Sequence, residues 1–102
     1  MISFKNKKIL ITGATGGIGG EIVKKFTSLG GNVVATGTNI EKLDLLKKKH
    51  SSLNVIKFDI SEHSKIEEFI ENATTQLTGL DILVNNAGTN MDNLSLRMKE
   101  DE

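Results

Sequence analysis

Four apolar runs separated by stretches of helical periodicity, with a glycine-rich string at the first junction between them, predict an α/β protein on a parallel β-sheet. Successive β-α-β crossovers that are all right-handed place the strands in the order 3-2-1-4 with helices on both faces.

The first strand is expected over residues 7–12, where Ile9, Leu10 and Ile11 are consecutive. Ile18, Ile22, Phe26 and Leu29 then recur at the spacing of one helix face, and Gly30-Gly31 ends that helix. Residues 32–36, containing Val33 and Val34, form a second strand; Ile40, Leu43 and Leu46 mark a second helix with Thr38 or Asn39 as its N-cap. Residues 53–58 make a third strand. Ser61 is the expected cap of a third helix with a buried stripe of Ile66, Phe69, Ile70, Ala73 and Leu77. A turn at Gly79 leads into the fourth strand, residues 81–84. No linker, repeat or low-complexity segment interrupts this alternation.

The 102 residues are enough for one domain with a real core. Thirteen basic and thirteen acidic side chains leave no net charge, which argues against nucleic-acid or membrane-surface binding driven by bulk electrostatics. Cysteine is absent, so no disulfide framework or thiolate metal site can form, as fits a cytoplasmic protein. No run approaches the roughly 18 apolar residues of a membrane span, and the first eight residues lack the apolar core of a secretory signal.

Chemistry concentrates in residues 12–19, Thr12-Gly13-Ala14-Thr15-Gly16-Gly17-Ile18-Gly19. A glycine string alone often marks an ordinary turn. Here it joins a strand to a helix in the first β-α-β unit, where a backbone without Cβ atoms turns sharply and approaches a phosphate, and the helix N-terminus offers N–H groups and a positive dipole end. A dinucleotide pyrophosphate is the expected ligand.

The spacing Thr-Gly-x-x-x-Gly-x-Gly resembles that of the short-chain dehydrogenase/reductase family, and Asn85-Asn86-Ala87-Gly88 after the fourth strand matches a second signature of that family. Residues 81–88, followed by Asp92-Asn93-Leu94 and Leu96-Arg97-Met98-Lys99, are similar within it to the N-terminal part of the 3-oxoacyl-acyl-carrier-protein reductases. The resemblance implies a Rossmann-type sheet, incomplete here, and a hydride passed from NADPH to a 3-keto group in fatty-acid synthesis. It assigns Gly13, Ala14, Thr15 and Gly16 to the phosphate-binding turn, with Ile18 and Gly19 beginning the helix. Asp59 would accept a hydrogen bond from the adenine amino group while Ile60 packs on the ring; the alternative for Asp59 is a cap near a helix. Asn86, Ala87 and Gly88 would line the adenosine-ribose edge, and Asn85 is expected to tie strands together. A full-length relative would be a cytoplasmic homo-oligomer acting on a substrate linked to acyl carrier protein.

Cofactor preference follows from what the second strand lacks. The Asp or Glu that holds the ribose 2′-hydroxyl of NAD stands about 20 residues after the glycine turn, but Thr36, Gly37, Thr38 and Asn39 fill that region and the first carboxylate is Glu41. NADP(H) is therefore not repelled, and the Thr38 hydroxyl can donate to a phosphate oxygen. Many NADP-dependent relatives carry a basic residue at the position of Gly16, so that contact is missing and NAD(H) stays open. Lys42 on the second helix could replace it or could simply be solvated.

Other features have bland readings. Lys47, Lys48, Lys49 and His50 suit a helix C-terminus. His50 and His63 are isolated and lack metal-ligand spacing. Met91 and Met98 could face an acyl chain, but are expected to fill the packing of a fourth helix.

In the resembled family a tyrosine donates the proton to the ketone, assisted by a lysine, a serine and an asparagine. The 102 residues contain no tyrosine, so no catalytic residue is assigned. The chain thus reads as the cofactor-binding part of a reductase, expected to be inactive alone and to leave the edge of its fourth strand open. The alternatives are a stand-alone nucleotide-binding module and an inactive remnant.

Overall fold

The computed structural model describes residues 3–59, 61–86 and 95–98. Strands β1 (Lys8–Thr12), β2 (Asn32–Gly37), β3 (Asn54–Lys57) and β4 (Ile82–Asn85) alternate with helices α1 (Gly17–Ser28), α2 (Ile40–Lys49) and α3 (Ile66–Leu77); a short strand β5 (Ser95–Met98) follows. The sheet order is β3-β2-β1-β4-β5, with β1 to β4 mutually parallel and β5 antiparallel to β4.

Alternation along the strands explains why helices cover both faces. In β1, Ile9 and Ile11 point to one side with Val33, Ala35, Ile82 and Val84, where Val23 of α1 and Leu43 of α2 seal the core. Leu10 and Val34 point to the other, against Phe69, Ala73 and Leu77 of α3. Because β1 is central, all three of its apolar residues are fully buried, and a continuous apolar run is what such a strand requires.

Local chemistry sets the boundaries. Asn39 is the N-cap of α2, its side chain accepting the Lys42 N–H at 3.1 Å. Lys47, Lys48 and Lys49 lie in the last turn of α2, complementing its dipole, and the Lys47 ammonium also donates to the Leu53 carbonyl. Gly31 cannot carry a side chain cheaply, because a Cβ there would lie 2.6 Å from the Ile9 Cδ1 and 3.1 Å from the Phe26 carbonyl oxygen. This closeness seats the end of α1 on β1. At the amino ends of the strands, the Lys8 N–H donates to the Asp81 carboxylate at 2.9 Å and the Asp81 N–H returns a bond to the Lys8 carbonyl at 2.8 Å.

Four expectations need correction. Ile18 lies off the buried face of α1: at about 100° per residue it stands about 100° from Gly19 and about 140° from Val23, the buried residues of that helix, and it is 56% exposed. Ser61 does not cap α3; a 3₁₀ turn, His63–Lys65, intervenes, and Ser61 instead donates from its N–H and its hydroxyl to Asp59. Met98 belongs to a strand rather than a fourth helix, and Met91 lies outside the described residues. The same strand overturns the open edge expected on β4, since β5 pairs with it from Ile82↔Met98 to Asn85↔Ser95 and occupies backbone groups that would otherwise face outward.

The reciprocal Lys8–Asp81 bonds define a test of how β4 is registered on β1. Asp81→Ala removes an acceptor and leaves the half-buried Lys8 N–H without its partner, so urea unfolding should show a loss of about 1–2 kcal/mol.

Candidate functional site

The candidate residues converge because parallel strands bring their carboxyl ends to one edge of the sheet. Gly13 follows β1, Thr38 follows β2, Asp59 follows β3 by two residues and Asn86 follows β4. This edge is where open α/β sheets hold ligands.

The turn after β1 is built by two close approaches. Gly13 has φ 63°, a left-handed conformation that glycine adopts without penalty. Gly19, in the first turn of α1, packs so tightly that a Cβ would lie 2.2 Å from the Gly13 carbonyl oxygen and 2.7 Å from the Ala14 Cα. Buried Ala14 donates its N–H to the Thr36 carbonyl at 2.8 Å, which ties the turn to β2. Thr15 leans on Gly37, where a Cβ would meet the Thr15 Cγ2 at 2.9 Å.

Gly16 and Gly17 are different. A Cβ at either meets nothing within 4 Å, and neither has a positive φ, so the fold itself places no demand for glycine there. Gly16 is the N-cap of α1 and offers no side-chain acceptor, and the first turn carries no acidic residue. The N–H groups that open a helix have no intrahelical partner. Together these features leave an anion-accepting surface clear of side chains.

A hydroxyl and two amides hold this turn against β4. The Thr12 Oγ1 donates to the Asn85 Oδ1 at 3.0 Å and accepts the Asn86 N–H at 3.1 Å, while the Asn86 side-chain amide donates to the Gly13 carbonyl at 3.2 Å. Asn85 thus ties strands together, as expected. Asn86 supports the glycine turn directly, a role that adds to the ribose-edge position assigned from sequence. Thr12, Gly17 and Gly37 fall within the motif regions of the sequence but carry no assigned role there. Their signal was position: Thr12 immediately precedes the turn, and Gly37 ends the strand beside it.

At the end of β3, Phe58 stacks on Phe69 of α3 with ring centroids 4.1 Å apart and planes 3° apart, fixing the backbone that presents Asp59. The exposed Asp59 carboxyl is held below the usual carboxylate range by the Ser61 hydroxyl, 2.7 Å from its Oδ1, and by the Ser61 N–H, 2.9 Å away. An ionised acceptor therefore stands at this corner over the neutral pH range. Asp59 caps neither the 3₁₀ turn nor α3, whose N-caps are Glu62 and Lys65; it closes a turn on Ser61, and its second carboxylate oxygen leaves acceptor capacity for a ligand. Thr38 is exposed beside the N-cap of α2. Ile60, Ala87 and Gly88 lie outside the described residues. Among the described residues no cluster of His, Asp or Glu could hold a metal, and no helix is long and apolar enough to cross a membrane.

The two kinds of glycine predict opposite outcomes. Gly19→Ala forces backbone to move and should cost about 1–3 kcal/mol in chemical denaturation. Gly17→Ala enters open space at a helical position and should leave stability unchanged or raise it by up to about 1 kcal/mol.

Comparison with known proteins agrees with this geometry. The family model described as short chain dehydrogenase matches residues 7–102. The 3-oxoacyl-acyl-carrier-protein reductase FabG of Rickettsia bellii is 40% identical over 102 residues, covering 100% of this chain and 41% of the relative. Its counterpart from Salmonella typhimurium is 38% identical, covering 99% and 42%. Among solved structures, a 3-ketoacyl-(acyl-carrier-protein) reductase from Brucella melitensis complexed with NADH superposes with a TM-score of 0.73 at 27% identity, over 79% of this chain and 34% of that one. A hydroxysteroid dehydrogenase from Escherichia coli gives a TM-score of 0.76 at 28% identity, over 81% and 36%. The chain therefore spans about two fifths of the length of the curated relatives it matches, and over that span it belongs to the short-chain dehydrogenase family.

Proposed function

We propose that this chain binds a nicotinamide dinucleotide along the carboxyl edge of its sheet, prefers NADP(H), and forms the cofactor-binding part of a 3-oxoacyl-acyl-carrier-protein reductase. The observation that carries this reading is the vacant space over Gly16 and Gly17 at the start of α1. Two glycines that packing does not require, at a helix N-terminus with no acidic residue and no side-chain cap, suit a pyrophosphate. Gly13, Ala14, Thr15 and Gly16 would line its turn, with Gly19 setting the approach of the helix. Asp59 would receive the adenine amino group, and Asn86 would keep the turn in register.

Support for the reductase class comes from relatives at 38–40% identity that bear that name. The superposed structures are less selective, because a hydroxysteroid dehydrogenase fits as closely as a ketoacyl reductase. What those proteins share with this chain is the fold over this span, so the superposition does not select a substrate. When bound, the reduced nicotinamide would supply hydride to the 3-keto group. The matching proton donor of the family is a tyrosine, and the 102 residues include none, so this segment supplies binding and orientation.

Calorimetric titration tests the site. Gly17→Val places a branched side chain where the fold leaves room and the phosphate would sit, so NADP and NAD should both bind at least about tenfold more weakly, about 1.4 kcal/mol, with the circular dichroism unchanged. Gly13→Val is a poorer test because φ 63° would strain valine in any case. Undiminished affinity in Gly17→Val would remove the turn from the binding site.

Specificity has its own readout. Thr38→Asp sets a carboxylate against a 2′-phosphate and offers an acceptor to a free 2′-hydroxyl, so the ratio of NADP to NAD affinity should fall. An unchanged ratio would place the adenosine ribose elsewhere.

A further inference from the structure

A cleft of about 480 Å³ opens off the glycine turn and runs between α1 and α2. Thr15, Gly16 and Gly17 form one end of it, and its charged lining is Glu21 and Lys24 from α1 with Lys42 and Lys49 from α2. We infer that Lys42 supplies the cation that neutralises the 2′-phosphate of NADP, a contact that rests on the dinucleotide-binding reading above and that Gly16 cannot make.

Placement along the two helices selects Lys42 from the other cations. Both helices begin at the carboxyl edge of the sheet, Gly17 in the first turn of α1 and Lys42 in the first turn of α2. Lys24 and Lys49 come seven residues later on each helix, about 10 Å further from that edge at the rise of an α-helix. His50 is the C-cap of α2 and lies further still. Lys42 alone of these cations stands at the end of the cleft that holds Thr15 and Gly16.

The neighbouring groups leave its charge available. Lys42 is exposed, its backbone N–H is committed to the Asn39 cap, and its ammonium has no hydrogen-bond or ion-pair partner among the described residues, where the ion pair is Lys65–Glu62. Glu41, beside it in the first turn, does not line the cleft, and Glu21 faces it from the second turn of α1. A cation in the first turn of a helix gains nothing from the helix dipole, so its position is better explained by an anion in front of it. With Gly16 bare of a side chain, the long flexible stem of Lys42 can cross the mouth of the cleft without a clash.

The test is titration of the 102-residue chain and its variants with NADP and NAD, with circular dichroism as a check of folding. Lys42→Gln should weaken NADP about fivefold to tenfold, the range of one charge-assisted phosphate contact, and change NAD less than about twofold. Lys48→Gln, an equal charge loss on the same helix outside the cleft, should change neither. The selective loss in Lys42→Gln should shrink as salt rises. Equal losses for NADP and NAD, no loss for either, or a loss of the same size in Lys48→Gln would each overturn the assignment. If Gly17→Val abolishes NADP binding while Lys42→Gln spares it, the dinucleotide reading stands and the role of Lys42 falls. If the unsubstituted chain binds neither dinucleotide, both fall together.

Discussion

The site depends on the contact between the first turn of α1 and the end of β1. The backbones at Gly19 and Gly13 approach so closely that a single added carbon at Gly19 would sit 2.2 Å from a carbonyl oxygen. A helix seated at ordinary distance would carry its N-terminus away from the strand ends, and its unpartnered N–H groups would no longer face the edge where β2, β3 and β4 also finish. Packing here is not separate from function. The same glycine that lets α1 close over the core of Ile9, Ile11 and Val23 also sets where an anion can be met.

Polar bonds keep that arrangement in register. Thr12 and Asn86 link the turn to the end of β4, while Lys8 and Asp81 link the same two strands at their other ends. A one-residue slip of β4 along β1 would break both links at once and turn Ile82 and Val84 away from the core face. Registration and burial therefore enforce each other. Asn86 supports the site through the backbone: its side-chain amide donates to the carbonyl of Gly13, a turn residue whose own conformation is open to wide variation.

Much of this was legible in the sequence. The apolar run Ile9-Leu10-Ile11 reads as a strand and is one, buried on both faces, and the helical spacing of Phe69, Ala73 and Leu77 survives intact as the inner face of α3. The glycine string marks the strand-to-helix junction, yet its members have different physical duties that no spacing reveals. Gly19 is required by packing and Gly13 by backbone conformation, whereas Gly16 and Gly17 are not required by the fold. Ile18 misled because apolar spacing does not say where a stripe ends, and the first turn of α1 overhangs the strand end, leaving its flank in solvent. Ser61 misled for a related reason. A serine before a helix resembles a cap, but the chain spends an extra 3₁₀ turn there, so the hydroxyl reaches back to Asp59 instead of forward to α3. Met98 gave no local signal for strand; its pairing answers the open edge of β4, a demand made by another part of the chain.

The same geometry makes the carboxyl edge self-contained. Strands β1 to β4 bring together there a glycine turn, an acceptor fixed by Ser61 and a hydroxyl beside the second helix, all held by contacts internal to these residues. None of those groups needs the keto substrate in order to be placed. A catalytic acid, by contrast, must be set relative to both the nicotinamide and the ketone, and so has to come from elements that see the other end of the cofactor. This accounts for superposition on a ketoacyl reductase and a hydroxysteroid dehydrogenase with nearly equal TM-scores, 0.73 and 0.76. At the corner between β2 and α2, Thr38 and Lys42 are both exposed, so side chains can change there without disturbing the packing beneath.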